Sequence, residues 1–375
     1  MTPEIFILTT EPPERPGGME RFVSTFMAIA QKNGHAVRVF HRENCAPPRW
    51  RNPRPYSKVA WFLAGLLQGY YIGKAARQAL RSGVRLVLSN STVGWFPLGN
   101  AVKQAHFYHG TYRGQAEAIR PFISYKGYLK LKWWDAMVLE RLSGRGKVVL
   151  CCSELVQEEL RRFFGYNAYV MWYPLDISHF RPLDQQKCRE QIGLKETAPV
   201  GLFVGSTHPM KGFPMVEHLM ETYPEVQWVL ALRGNIPQRV QSIPRAKVFQ
   251  NAGYDLLPVL YNAADFSLVP SLYDPFAYVV PEALACGTPV IASPHVGASW
   301  TYHKGSVLEP LLTCSSDDKE GFQKAVEAVV SDPMKWRRIV LEQVRPRLIE
   351  MMAPENWWRR FCTVVGLTRV RQSER

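Results

Sequence analysis

Short apolar runs alternate with helical patterns along almost the whole chain, in two series separated by one aperiodic stretch. Such alternation leaves little room for anything but parallel sheets built from strand–helix–strand units. The first series predicts strands at residues 5–9, 36–40, 85–89, 105–109 and 147–152. A helix follows the first strand, with Phe22, Phe26 and Ile29 on one face and Gly34 as its left-handed cap. Ser153 has the chemistry of an N-cap for a helix running to Phe164, with Gly165 after it. The second series predicts strands at residues 200–204, 226–232, 266–269 and 289–292. Between the series, residues 173–182 follow neither period and read as an interdomain linker. The expectation is an α/β protein of two doubly wound domains facing across a cleft, with ligands at the carboxyl ends of the strands. The predicted bounds are 1–173 and 174–350, followed by a closing segment, 351–375, that crosses back to the first domain.

A length of 375 residues suits two domains, and a hydrophobic content of 46% supports packed cores. Seven cysteines at irregular spacings, with no Cys-x-x-Cys pair, favour neither a zinc site nor a disulfide framework. No secretory signal is visible, and the longest apolar stretch, residues 59–73, is shorter than a membrane span. A cytoplasmic setting is expected. Of the net charge of +14, residues 1–180 carry +12, from 24 Lys and Arg against 12 Asp and Glu. A basic half joined to a nearly neutral one points to an anionic partner for the first domain. Nucleic acid is not favoured, because no recognised binding motif is present.

The most informative segment is residues 271–292, SLYDPFAYVVPEALACGTPVIA. It places Asp274 in a turn and Glu282 in the helix beyond, with Gly287 ending that helix. Backbone N–H groups at such a turn attract phosphate, and a carboxylate nearby suits ribose hydroxyls. The segment resembles the Glu-x7-Glu element of the retaining GT-B glycosyltransferases of family 4. Asp274 stands where that family usually has Glu, and Ala277 where it usually has Gly. The resemblance extends along the chain through Gly17-Gly18-x-Glu20, His106-Phe-Tyr-His109-Gly110, Cys152-Ser153-Glu154 and the linker, which has Tyr173-Pro174 in place of Asn-Gly.

The resemblance implies the GT-B fold of two Rossmann-like domains and a retaining hexosyl transfer from a nucleotide-diphosphate sugar. It implies that Glu282 holds the ribose and that Asp274 lies by the transferred sugar or its phosphate. The amides of Phe276, Ala277 and Tyr278 would accept the leaving diphosphate. His109 would orient the sugar, and Gly17 and Gly18 would border the diphosphate. After the second domain's first strand, Gly205, Ser206 and Lys211 match the family's Gly-Arg…Lys-Gly, with Ser206 in the arginine position and His208 a candidate replacement cation. A turn lysine donates to phosphate oxygens as a compact point charge. No Asp-x-Asp element is present, so no metal or other cofactor is expected. Two rivals stay open: a GT-B sugar-nucleotide epimerase, and an inactive membrane-associated adaptor with a GT-B body.

Two stretches concentrate the first domain's cations among aromatics. One is residues 49–58; the other is residues 120–147, with Arg120, Lys126, Lys130, Lys132, Arg141, Arg145 and Lys147 among Tyr125, Tyr128, Trp133 and Trp134. Such a mixture suits an anionic membrane interface, and equally an amphipathic helix with its aromatics turned inward. The expected acceptor is a glycan or lipid-linked hydroxyl of the cell envelope, of lipopolysaccharide or exopolysaccharide type. The expected place is the inner face of the cytoplasmic membrane.

Overall fold

A computed structural model describes residues 3–15, 17–51, 58–194, 198–234, 236–241 and 246–367. The chain divides into two compact units, residues 1–174 with 354–375, and residues 175–353. The divisions fall after Pro174 and after Ala353.

The first unit holds a six-stranded sheet of β1 (Glu4–Leu8), β2 (Ala36–Phe40), β3 (Val84–Asn90), β4 (Lys103–Tyr108), β5 (Val148–Cys151) and β6 (Tyr169–Val170). Every pairing is parallel, in the order β2-β1-β3-β4-β5-β6. β1 is buried along its whole length, as the apolar run of residues 5–8 requires of a central parallel strand. The helix Gly18–Lys32 buries Phe22, Phe26 and Ile29, and Gly34 follows it at φ +80°. Phe22 meets Phe107 of β4 at 4.4 Å between ring centroids. The closing helix Pro354–Val365 belongs to the same unit. Its Trp357 and Phe361 pack on Phe26, and the Trp357 indole donates to the carbonyl of Trp172. Ser153 caps the helix Glu154–Phe164 by accepting from the Val156 amide, and Gly165 closes it in the left-handed region.

The apolar stretch 59–73 lies within the helix Lys58–Ala79. No described helix is long and apolar enough to cross a membrane. Glycines at positions 65, 69 and 73 form a seam along this helix. A Cβ at Gly69 would strike the Trp95 ring at 2.3 Å, and one at Gly73 would strike Phe96 at 2.3 Å. The seam therefore seats the loop that follows β3.

The second unit holds β7 (Val200–Gly205), β8 (Gln227–Leu232), β9 (Ala246–Gln250), β10 (Phe266–Val269) and β11 (Val290–Ala292), all parallel, in the order β11-β10-β7-β8-β9. β9 was not expected from sequence. It is an edge strand, only partly buried, and Ala-Lys-Val-Phe-Gln carries no continuous apolar run. β6, two residues long, was also not expected. In both sheets the strand order reverses beside the unit's first strand, between β1 and β3 and between β7 and β10. Doubly wound sheets bind ligands outside the carboxyl ends of the strands at such a reversal.

Candidate functional site

The second unit's reversal point is flanked by the loops that follow β7 and β10. Gly205 ends β7, Ser206 begins the loop, and a short 3-10 turn, Pro209–Lys211, carries the lysine. Gly212 follows at φ +73°, and a Cβ there would lie 2.0 Å from the Pro270 carbonyl oxygen. Only glycine lets the two loops approach so closely. The Leu272 amide donates to the Met210 carbonyl across the same junction.

This approach brings Lys211 to Asp274, with Nζ 2.6 Å from Oδ2. The other carboxylate oxygen of Asp274 accepts from the Ala277 amide at 2.8 Å and the Phe276 amide at 3.3 Å. An aspartate bonding amides two and three residues on is a local cap for its own turn. The backbone of Asp274 is fixed as well. Its amide donates to the His295 carbonyl, and its carbonyl accepts from the Gly297 amide. Ala277 holds φ +61°, the left-handed region where the resembled family has glycine. The methyl is tolerated there at a cost of about 1–2 kcal/mol. Phe276 is buried and Tyr278 half-buried, their rings edge to face at 5.5 Å.

Glu282 lies in the helix Val279–Ala285 and is 2% exposed. Its Oε2 accepts from the Tyr261 hydroxyl at 2.8 Å. Sequence reasoning did not single out Tyr261, which stands 21 positions earlier and has no local signal. His208, the candidate replacement cation, accepts from the Met210 amide through Nδ1 at 3.1 Å. In this arrangement the Nδ1 of His208 caps the turn. Arg233, just after β8, is exposed, and its amide donates to the Gly205 carbonyl. It is a cation beside the β7 loop that the sequence reading passed over.

The remaining expected residues lie in the first unit. Gly17 and Gly18 begin the helix Gly18–Lys32, and the Glu20 carboxylate folds over Gly17, where a Cβ would lie 1.9 Å from Oε2. The chain's own carboxylate thus sits at that helix start. His109 follows β4, and its Nδ1 is 2.6 Å from the Tyr173 hydroxyl. Its ring stacks on Phe107 at 4.8 Å. Burial pulls its pKa down to about 3. The imidazole is therefore neutral at physiological pH and suited to hydrogen bonding rather than to carrying a proton. Tyr173, expected only as a linker residue, is buried and holds His109 from 64 positions away.

The cations of residues 120–147 divide. Lys130 pairs with buried Asp135 at 2.6 Å, Lys132 with Glu117 at 2.6 Å, and Lys147 donates to the Gly94 carbonyl, its pKa lowered by burial to about 8. Tyr128 is buried. Arg120, Lys126, Arg141 and Arg145 stay exposed, as do Phe122, Tyr125, Trp133 and Leu142, with Tyr125 at 71% and Trp133 at 55%. Of residues 49–58, positions 52–57 lie outside the described residues.

Comparison with known proteins agrees with this architecture. Residues 16–175 match the model described as Glycosyltransferase Family 4, and residues 184–344 match that described as Glycosyl transferases group 1. A D-inositol 3-phosphate glycosyltransferase of Xylanimonas cellulosilytica is 25% identical over 76% of this chain and 78% of its own length. A probable transglycosylase of Burkholderia thailandensis is 32% identical over 43% of this chain, and the match spans only 45% of that relative. Among solved structures, sucrose-phosphate synthase from Thermosynechococcus elongatus superposes with a TM-score of 0.77 at 21% identity, covering 97% of this chain and 98% of that one. WaaG, a glycosyltransferase involved in lipopolysaccharide biosynthesis, gives 0.69 at 14% identity, covering 96% and 100%. Anabaena HepE in complex with UDP-glucose gives 0.70 at 16%, covering 97% and 100%. With both family models matched in succession and two parallel α/β units of the corresponding fold, the chain belongs to the GT-B glycosyltransferases of family 4, group 1, a family of transferase enzymes.

Proposed function

We propose that this protein transfers a hexose, with retention, from a nucleotide-diphosphate sugar to a hydroxyl of a cell-envelope glycan or lipid-linked acceptor. The observation that carries the reading is the Lys211–Asp274 pair at the sheet reversal, next to a turn whose amides already hold a carboxylate oxygen. A site that holds one anion with a lysine and two amides has the donors to hold another. A diphosphate oxygen arriving there competes with Asp274 for Lys211. Asp274, displaced or shared, meets the sugar or its phosphate. Arg233, whose amide donates to the Gly205 carbonyl, is assigned the role of the cation that Ser206 leaves missing. Glu282, oriented by Tyr261, is assigned to the ribose. The structure of HepE with UDP-glucose supports a nucleotide sugar as donor.

In the transfer the bond from the anomeric carbon to the diphosphate oxygen breaks, and a bond to the acceptor oxygen forms. The acceptor proton leaves with the nucleoside diphosphate. Lys211 stabilises the charge that develops on the diphosphate, and neutral His109 orients the sugar through hydrogen bonds. On this reading the leaving-group charge is met by side chains and amides, so turnover is expected to persist in a chelator. The exposed Tyr125, Trp133, Phe122 and Leu142, with the exposed Arg120, Lys126, Arg141 and Arg145, have the chemistry suited to anionic lipid at the inner membrane surface.

A thermal-shift panel of nucleotide sugars tests the donor assignment, because a ligand that binds only the folded state raises the melting temperature. One nucleotide-diphosphate sugar is expected to raise it, and Lys211→Ala to remove the rise. No rise with any of them contradicts the reading.

A further inference from the structure

The first unit has a reversal point of its own, between β1 and β3. β3 ends there at Asn90. The side chain of Asn90 is wholly buried, and among the described residues neither its Nδ2 nor its Oδ1 has a hydrogen-bond partner. Leaving such a group unpaired costs about 1–3 kcal/mol, and native chains rarely accept that without a reason. The strand register sets Asn90 against Phe107, whose ring stacks on His109. The His109 Nε2 is likewise buried without a partner among the described residues. So is the Oγ1 of Thr10, two residues past the end of β1. Ser91, next to Asn90, holds φ +53°. A non-glycine residue in that region is strained, and such strain concentrates at functional sites.

Three adjacent strands, β1, β3 and β4, therefore lead into three orphaned polar groups at one carboxyl edge, at the place where doubly wound sheets take ligands. A carboxamide offers both donors and acceptors, and a hydroxyl both gives and accepts. We infer that Asn90 is a specificity-determining residue whose carboxamide, together with His109 Nε2, binds hydroxyls of a sugar or polyol. The inference rests on the glycosyl-transfer reading. The hydroxyls belong either to the transferred sugar or to the acceptor, and kinetics separate the two.

The test compares full-length wild type with Asn90→Leu and Asn90→Ala, using the donor found by thermal shift. Leucine is close in size and removes the orphaned groups, so its melting temperature is expected to be unchanged or higher. The shift produced by the nucleoside diphosphate alone is expected to be unchanged, which shows that the variant is folded and holds the diphosphate. kcat/KM is expected to fall about 100-fold in both variants. A raised donor KM with slowed donor hydrolysis assigns the hydroxyls to the transferred sugar; a raised acceptor KM alone assigns them to the acceptor. Wild-type kcat/KM for both substrates in either variant overturns the inference. So does a loss of activity that merely follows a lowered melting temperature in both variants. If wild type itself neither binds nor turns over any nucleotide sugar, the glycosyl-transfer reading falls, and this inference with it.

Discussion

Asp274 and Ala277 are two departures from the family pattern within one turn, and the structure shows what surrounds each. Aspartate is one methylene shorter than glutamate, and here it caps its own turn through Phe276 and Ala277 while pairing with Lys211. Lys211→Ala and Asp274→Ala are each expected to cut turnover severely. Because the two groups touch, the double variant is expected to lose less than the sum of the single losses, by about 0.5–3 kcal/mol in a double-mutant cycle. Additive losses would show that the pair does not act as a unit. Ala277→Gly relieves a left-handed alanine and is expected to stabilise the protein by about 1 kcal/mol, raising the melting temperature by about 2–4 °C. A lowered melting temperature would mean the alanine methyl makes contacts worth more than its strain. The identity of these residues was readable from the sequence, as was the segment that holds them. Their partners were not. Tyr261 stands 21 positions from Glu282, and Tyr173 stands 64 from His109. Pairings across such distances exist only once the strands have set their register.

At the scale of elements, most central strands were legible because parallel strands buried on both faces read as continuous apolar runs. β9 was not, since an edge strand buries less and needs no such run. The glycine seam of Lys58–Ala79 was also missed; its meaning depends on Trp95 and Phe96, which only the fold brings to it. The helical run after His109 hides another feature. Glu140, 3% exposed, accepts from the Tyr112 amide at the start of the helix Tyr112–Ile119, and burial raises its pKa well above the usual carboxylate range. The folded chain therefore keeps a proton that the unfolded chain releases, so this group's contribution is fully present below pH ~4.5 and is lost as pH rises toward the folded value. Glu140→Gln keeps the acceptor and removes the titration. Relative to wild type it is expected to gain stability with pH above ~4.5, at up to about 1.4 kcal/mol per unit, measured by denaturant unfolding. A pH-independent difference would show that Glu140 is ionised in the fold. Trp357 fastens the closing helix to the first unit through Phe26 and the Trp172 carbonyl. Trp357→Ala is expected to cost about 3–5 kcal/mol.

Across the whole molecule, the charge is as uneven as the two halves of the sequence indicated, with +12 of the net +14 in residues 1–180. The structure sorts that excess. Lys130, Lys132 and Lys147 serve internal partners, while Arg120, Lys126, Arg141 and Arg145 remain exposed among four exposed apolar side chains. The sequence could not distinguish an inward aromatic from an outward one; Tyr128 and Trp133 carry the same local signal and have opposite burial. Binding to anionic vesicles is expected to weaken with salt and to drop further when Tyr125 and Trp133 are both replaced by serine. Equal absence from the vesicle pellet at low and high salt would contradict the membrane assignment. The fold places two sheet reversals in the chain, one beside Asn90 and one beside Lys211. Donor binding depends most on the second of these acting as an anion clamp. Calorimetric titration of the protein with the nucleoside diphosphate of its donor measures this most directly. The expected result is binding in wild type that weakens by about tenfold or more in Lys211→Ala; equal affinity in the two proteins would contradict it.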